Sequence, residues 1–216
     1  VTLIIACGLK REARILNRPG RDLVVVIGGG VAATLERDLD DKAALFPGII
    51  LSCGIAGALG PSLRPGDVVI DGNVLLVERL GQALPHAHRG GIVGNDAITT
   101  TAAEKRLLHE RTGAIAVDME SHVAARVAVR KGLPFAALRV ISDCADDDLP
   151  PAALVGMRPD GGMALGAVLA SLVRNPRQLP ALIRTGRQAD QAFRSLAQAF
   201  DAIIGAGIDR LGLPAR

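Results

Sequence analysis

The sequence predicts a three-layer α/β sandwich around a mixed, largely parallel sheet, followed by a helical C-terminal region. Apolar runs recur along the first two thirds of the chain, each closed by Gly, Pro or Asp. The runs are continuous rather than alternating, as expected of strands buried on both faces of a sheet. Helical patterns lie between several of them, and strand–helix alternation of this kind builds α/β layers.

Taken in order, the strand-like runs are TLIIACG, DLVVVIGGG, GIILSCG, GDVVID, GGIVGND, GAIAVDME and PFAALRVISD. Helical patterns cover Val31–Leu39, Ala102–Arg111 and Ser121–Lys131, the last carrying Val123, Val127 and Val129 among small residues. After Pro150 the character changes. From Ala164 to Ile204 there is only helical periodicity, interrupted at Pro176 and Pro180. With no internal repeat and no low-complexity linker, the simplest organisation is one domain over 1–216, its motifs in 1–148 and its helical region in 149–216.

Composition narrows the function classes. Hydrophobic residues make up 49% and charged residues 22% of the 216, an ordinary balance for a soluble protein with a sizeable core. The net charge of +3 invites a nucleic-acid partner, but four Phe and no Tyr or Trp leave almost nothing on which to stack bases. Cys7, Cys53 and Cys144 lie far apart, which speaks against a disulfide framework and a zinc cluster. No signal peptide or membrane-length apolar run is evident, so the expected compartment is the cytoplasm.

Five segments carry chemistry. Ile141-Ser142-Asp143-Cys144 ends a predicted strand, where open α/β sheets bind ligands. There Asp143 suits a general acid that protonates a leaving group, with Ser142 orienting it; an Asp capping the following turn fits the same spacing. In Val117-Asp118-Met119-Glu120-Ser121 a strand gives way to a helix. Glu120 could accept both hydroxyls of a ribose diol and steady a developing cation, with Met119 packed on the sugar; equally, Asp118 and Glu120 favour a helix N-terminus through its dipole. Ser52 to Gly60 is a glycine-rich turn whose backbone, at Ala56-Gly57, can approach a flat ligand. Gly28-Gly29-Gly30 can cradle an anion with its amides, although neither a Walker loop nor a proper GxGxxG is present. Glu12, after the first strand, could activate water or brace a phosphate, or sit solvated on a first helical turn.

In this order, GIAGAL, LRPGDVVI, GNDAI, AVDMES and RVISDCAD resemble the purine nucleoside phosphorylase and nucleosidase superfamily over about residues 2–148. The resemblance implies cleavage of a purine N-glycosidic bond. Asp143 is then the acid on N7, Met119 and Glu120 the sugar clamp, Ser52, Ala56, Gly57, Ile98 and Ser142 further substrate contacts, and Glu12 a second catalytic group. The short chain and the Gly-Leu-Lys-Arg-Glu-Ala opening are most similar to the hopanoid-associated phosphorylase branch. That likeness implies phosphorolytic release of adenine from adenosylhopane, with phosphate as co-substrate and no metal or organic cofactor. It also implies a homo-oligomer.

A lipid-linked substrate would draw attention to Arg174, Arg177, Arg184, Arg187 and Arg194 beside LGAVLASLV and LPALI, a mix suited to peripheral contact with an anionic membrane. An ordinary helix packed on the sheet fits the same residues. Three departures from the resemblance matter. Ser52 and Ile55 stand where an Arg and a Ser often grip phosphate, leaving Gly28–Gly30 with Arg37 or Arg64 as stand-ins. Ile98 replaces an aromatic residue, and the stretch Leu80–Arg89, with its alternating His86 and His88, is short. A hydrolytic nucleosidase for methylthioadenosine, adenosylhomocysteine or a futalosine-like substrate is therefore the first alternative. A non-catalytic nucleotide-binding module is the second.

Overall fold

The computed structural model describes residues 2–46, 48–154, 161–162 and 164–207. Every predicted strand forms: β1 (Thr2–Cys7), β2 (Leu23–Ile27), β3 (Gly48–Ala58), β4 (Val68–Gly72), and, after the unforeseen two-residue β5 (His88–Arg89), β6 (Ile92–Gly94), β7 (Ala116–Asp118) and β8 (Phe135–Asp143). The helices are α1 (Lys10–Leu16), α2 (Ala32–Leu45), α3 (Val74–Ala83), α4 (Ala102–Thr112), α5 (Ser121–Lys131), α6 (Pro151–Leu154), α7 (Leu165–Arg174) and α8 (Leu179–Gly205).

The sheet runs β2-β1-β3-β8-β4-β5. Its β2, β1, β3 and β8 are parallel, and β4 lies antiparallel to β8. Strand β3 outruns its neighbours, so its end at Gly57 and Ala58 pairs antiparallel with Val117 and Ala116 of β7. Strand β6 then adds to β7 in parallel.

Alternation along the strands divides the core into two faces. Leu3, Ile5 and Cys7 of β1 pack with residues of α1, α3 and α8. Ile4 and Ala6 face the other way, against α2 and α5. This is the three-layer arrangement. Helix α2 outruns the predicted Val31–Leu39, because Ala43 continues the buried stripe of Leu35 and Leu39 at four-residue spacing.

Pro180 does not interrupt α8. It falls in the first turn, where its missing N–H would have had no intrahelical partner. Pro176 opens the short 3₁₀ turn before it. The second half of α8 buries Phe193, Leu196, Phe200 and Ile203 against the sheet, as an ordinary packed helix does. Leu179 and Ile183 in its first half, and Leu169 and Val173 on α7, are exposed. Among the described residues no helix is long and apolar enough to cross a membrane.

Phe200 has no exposed surface, so Phe200→Ala should cost about 3–5 kcal/mol, lowering the urea midpoint at constant m-value. An unchanged midpoint would mean that α8 is not part of the cooperative core.

Candidate active site

A cavity of about 230 Å³ opens beyond the carboxyl ends of the central strands. Its walls come from the residues following β1, from the end of β3, from the β7–α5 junction and from the end of β8. Apolar residues of α6 and α8, among them Ala153, Leu154 and Ala189, close one side.

Behind this cavity lies Arg139, at the middle of β8, with no solvent exposure. Its Nη2 forms a close ion pair with Asp118, donates to Ser52 Oγ at 2.6 Å and stands 3.3 Å from Glu120 Oε2. Its Nε and Nη1 have no hydrogen-bond partner among the described residues. Asp118 is held in turn by the amide and hydroxyl of Ser121, at the start of α5.

Glu12 sits in the first turn of α1 and folds back over the β1–α1 connection. One carboxylate oxygen accepts from the amides of Gly8 and Leu9, both at 2.8 Å, and the other from the amide of Ile55 at 2.8 Å. Burial pushes its carboxyl above the usual carboxylate range, against the pull of Arg139 and these three amides. Glu120 is also raised, to about 8, chiefly by burial, with Asp118 and Glu12 adding to the shift and Arg139 opposing it.

At the other end of the cavity the β3–β8 ladder shifts register. Ala56 pairs with Ile141 but Gly57 pairs with Asp143, leaving Ser142 as the extra residue of a bulge. Bulges re-aim side chains, and here Ser142 and Asp143 both reach the cavity wall. Ser142 Oγ lies 2.7 Å from Asp143 Oδ1 and 3.1 Å from the Ala56 carbonyl. Asp143 Oδ2 accepts from Lys105 Nζ at 2.5 Å. Lys105 is fully buried on α4, whose start is fixed by a reciprocal cap between Thr101 and Glu104.

Several proteins share this frame. Residues 72–174 match the phosphorylase superfamily. The futalosine hydrolase of Helicobacter pylori is similar in fold, with a TM-score of 0.68 at 14% identity, over 94% of this chain and 97% of that one. The 5′-methylthioadenosine/S-adenosylhomocysteine nucleosidase of Neisseria meningitidis, solved with methylthio-immucillin-A, gives 0.70 at 15%, over 97% and 99%. That of Colwellia psychrerythraea, solved with adenine, gives 0.68 at 16%, over 95% of each chain.

Within this frame, the structure gathers Glu12, Ala56, Gly57, Ile98, Met119, Glu120, Ser142 and Asp143 around one cavity. Ser52 is not on its wall. It lies fully buried behind it and accepts from Arg139. Gly28, Gly29 and Gly30 are likewise absent from the lining, and the amides of Gly28 and Gly29 are spent on the carbonyls of Cys7 and Gly8. An anion cradle there would need those amides free. Arg37 pairs with its neighbour Asp38, and Arg64 donates to the carbonyls of Pro61 and Leu63. Among the described residues no cluster of His, Cys, Asp and Glu could hold a metal.

The sequence reading missed Arg139, Lys105 and Thr99, whose buried Oγ1 on the cavity wall has no partner among the described residues. Arg139 left a signal: a charge in the middle of the apolar run FAALRVISD. Lys105 left a weaker one, standing where the inward stripe of α4 calls for an apolar residue three before Leu108.

The raised Glu120 makes a prediction about stability. Its folded-state pKa of about 8 exceeds the unfolded value of 4.5, so the folded chain keeps a proton that the unfolded chain has released. This group's contribution therefore falls as pH rises from about 5 to 8, and Glu12 acts in the same direction. Urea titrations should show wild type losing stability across that window and Glu120→Gln losing less. Wild-type stability that rises through it would contradict the assignment.

Proposed function

We propose that this chain cleaves the N-glycosidic bond of a purine nucleoside, with water rather than phosphate capturing the sugar. The observation that carries the choice of water is the position of Glu12. The amides of Gly8, Leu9 and Ile55 converge as an anion site would, and the Glu12 carboxylate already fills it. An incoming phosphate would meet a buried like charge with those donors spent. A carboxylate whose affinity for protons is raised by burial is suited to take one from a water molecule beside it.

Glu120, on the cavity wall beside Met119, accepts hydrogen bonds from the ribose diol, and the surrounding carboxylates stabilise the oxocarbenium-like cation. At the other end, purine N7 takes up a proton as the bond to the sugar stretches. Asp143 delivers it, drawing on the Lys105 ammonium behind it. Glu12 gains the proton of the attacking water and Lys105 loses one, so solvent exchange resets both. The base leaves neutral.

The apolar wall of α6 and α8 supports an apolar substituent at the ribose 5′ position. The names of the solved relatives, methylthioadenosine nucleosidase and futalosine hydrolase, support a hydrolytic reading. Phosphorolytic release of adenine from adenosylhopane shares the same base and sugar contacts, and the apolar wall would serve its lipid tail. It requires a phosphate grip other than Gly28–Gly30.

The test is base release from adenosine, 5′-methylthioadenosine and adenosylhopane, with and without phosphate. Release that does not depend on phosphate, and that drops by about 10²–10⁴-fold in Glu12→Gln, is the expected result. Release only when phosphate is present would restore the phosphorolytic reading. Full activity in Glu12→Gln would remove Glu12 from the chemistry.

A further inference from the structure

Lys105 makes three contacts suited to an ammonium. Its Nζ donates to Asp143 Oδ2 at 2.5 Å, to the Cys144 carbonyl at 2.8 Å and to the Asp147 carbonyl at 2.8 Å. Two fixed carbonyls and a carboxylate around one Nζ match the three N–H groups of an ammonium. That ammonium has no exposed surface, and a buried cation needs an anion in contact with it. Two of its three partners are neutral carbonyls, which leaves Asp143 as that anion. Asp143 Oδ1 meanwhile accepts from the Ser142 hydroxyl. In the resting site Asp143 is thus a carboxylate, and the proton it passes to N7 comes from Lys105 only as the glycosidic bond stretches; it is set into the cavity wall beside the bare backbone of Gly57.

We propose that Lys105 determines which purine the site accepts, by holding Asp143 as a hydrogen-bond acceptor in a fixed orientation. The inference rests on the reading above in one respect, that the base lies at the Ser142–Asp143 end. A held carboxylate accepts from the amino group of a 6-aminopurine. It faces a 6-oxo group with two acceptors opposed and no proton between them. Sites built around a buried polar group discriminate strongly against a partner that leaves the group unpaired. Thr99, with its unpartnered hydroxyl, can donate or accept and so does not decide between the two classes. Lys105 is a positioning residue: it acts through Asp143 and does not itself line the cavity.

Binding of free adenine and hypoxanthine, measured by calorimetry, tests the inference without requiring turnover, alongside kcat/KM for adenosine and inosine. Wild type should prefer the 6-amino member of each pair by about 100-fold or more. Lys105→Met removes the cation while keeping the length of the side chain, so Asp143 can carry a proton and donate to a 6-oxo group. The preference should then shrink to roughly tenfold or less, and Lys105→Arg, which keeps the charge, should retain more of it. A merely structural lysine would lower the melting temperature and weaken both bases alike. Where Lys105→Met does not fold, Lys105→Met/Asp143→Asn removes both charges together and should also lose the preference.

Equal binding of adenine and hypoxanthine by wild type, or an undiminished preference in the folded variants, overturns the proposal. Preferential binding of adenine with no cleavage of any nucleoside would support the Lys105 assignment and discard the nucleosidase reading.

Discussion

The guanidinium of Arg139 organises the end of the site that holds Glu12 and Glu120. It lies at the middle of a central strand with no access to solvent, and arginine cannot shed its charge to escape burial. A cation so placed is tolerable only with anions brought to it. They arrive from separate elements: Asp118 from the end of β7, Glu120 from the start of α5 and Glu12 from the first turn of α1. Burial raises the proton affinity of Glu120 and Glu12 against the pull of Arg139, and at Glu120 the neighbouring Asp118 and Glu12 add to it. Asp118 has the closest ion pair with Arg139, and Glu120 and Glu12 carry the upward shifts. The same burial that makes the cluster costly raises the proton affinity of the two glutamates on the cavity wall.

The fold was legible because its signals are local. Continuous apolar strands closed by turn residues identified the buried sheet, and the end of each run placed Glu12, Glu120 and Asp143 within loop distance of one cavity. What the sequence did not display was how each group is held. β5 is two residues long and has no pattern of its own. Lys105 lies in AAEKRLLHE, where the charges of Glu104, Arg106 and Glu110 are exposed, so only its spacing to Leu108 separates the buried lysine from its neighbours. Its partner is 38 residues away along the chain. The family resemblance implies Ser52 as a ligand contact, and the Gly28–Gly30 loop reads as one because of its place between strand and helix. Their polar groups are instead consumed by Arg139 and by the β1–α1 connection, a competition only tertiary structure reveals.

The glycines next to the site are used for space as well as for approach to a ligand. Gly8, Gly54 and Gly57 all have ordinary negative φ, so none is required by backbone conformation. A Cβ at Gly8 would strike the Glu120 carboxylate, and one at Gly54 would strike that of Glu12 and stand 2.7 Å from Arg139 Nη1. At Gly57 it would stand 3.2 Å from Asp143 Oδ2. Each missing side chain is the volume into which a charged group is set.

Strand β3 connects these volumes. Three consecutive residues at its end touch three parts of the chemistry: the Ile55 amide donates to Glu12, the Ala56 carbonyl lies within hydrogen-bond distance of Ser142, and Gly57 makes room for Asp143. The register shift against β8 falls between the second and third of them. A rigid strand with one irregularity thereby sets the separation between the Glu12 and Asp143 carboxyl groups. Both are oriented before any substrate enters. In the proposed reaction, groups fixed in this way need not reorganise as charge moves from the glycosidic bond to the base, which is the condition under which buried electrostatics lowers a barrier rather than merely binding a ligand.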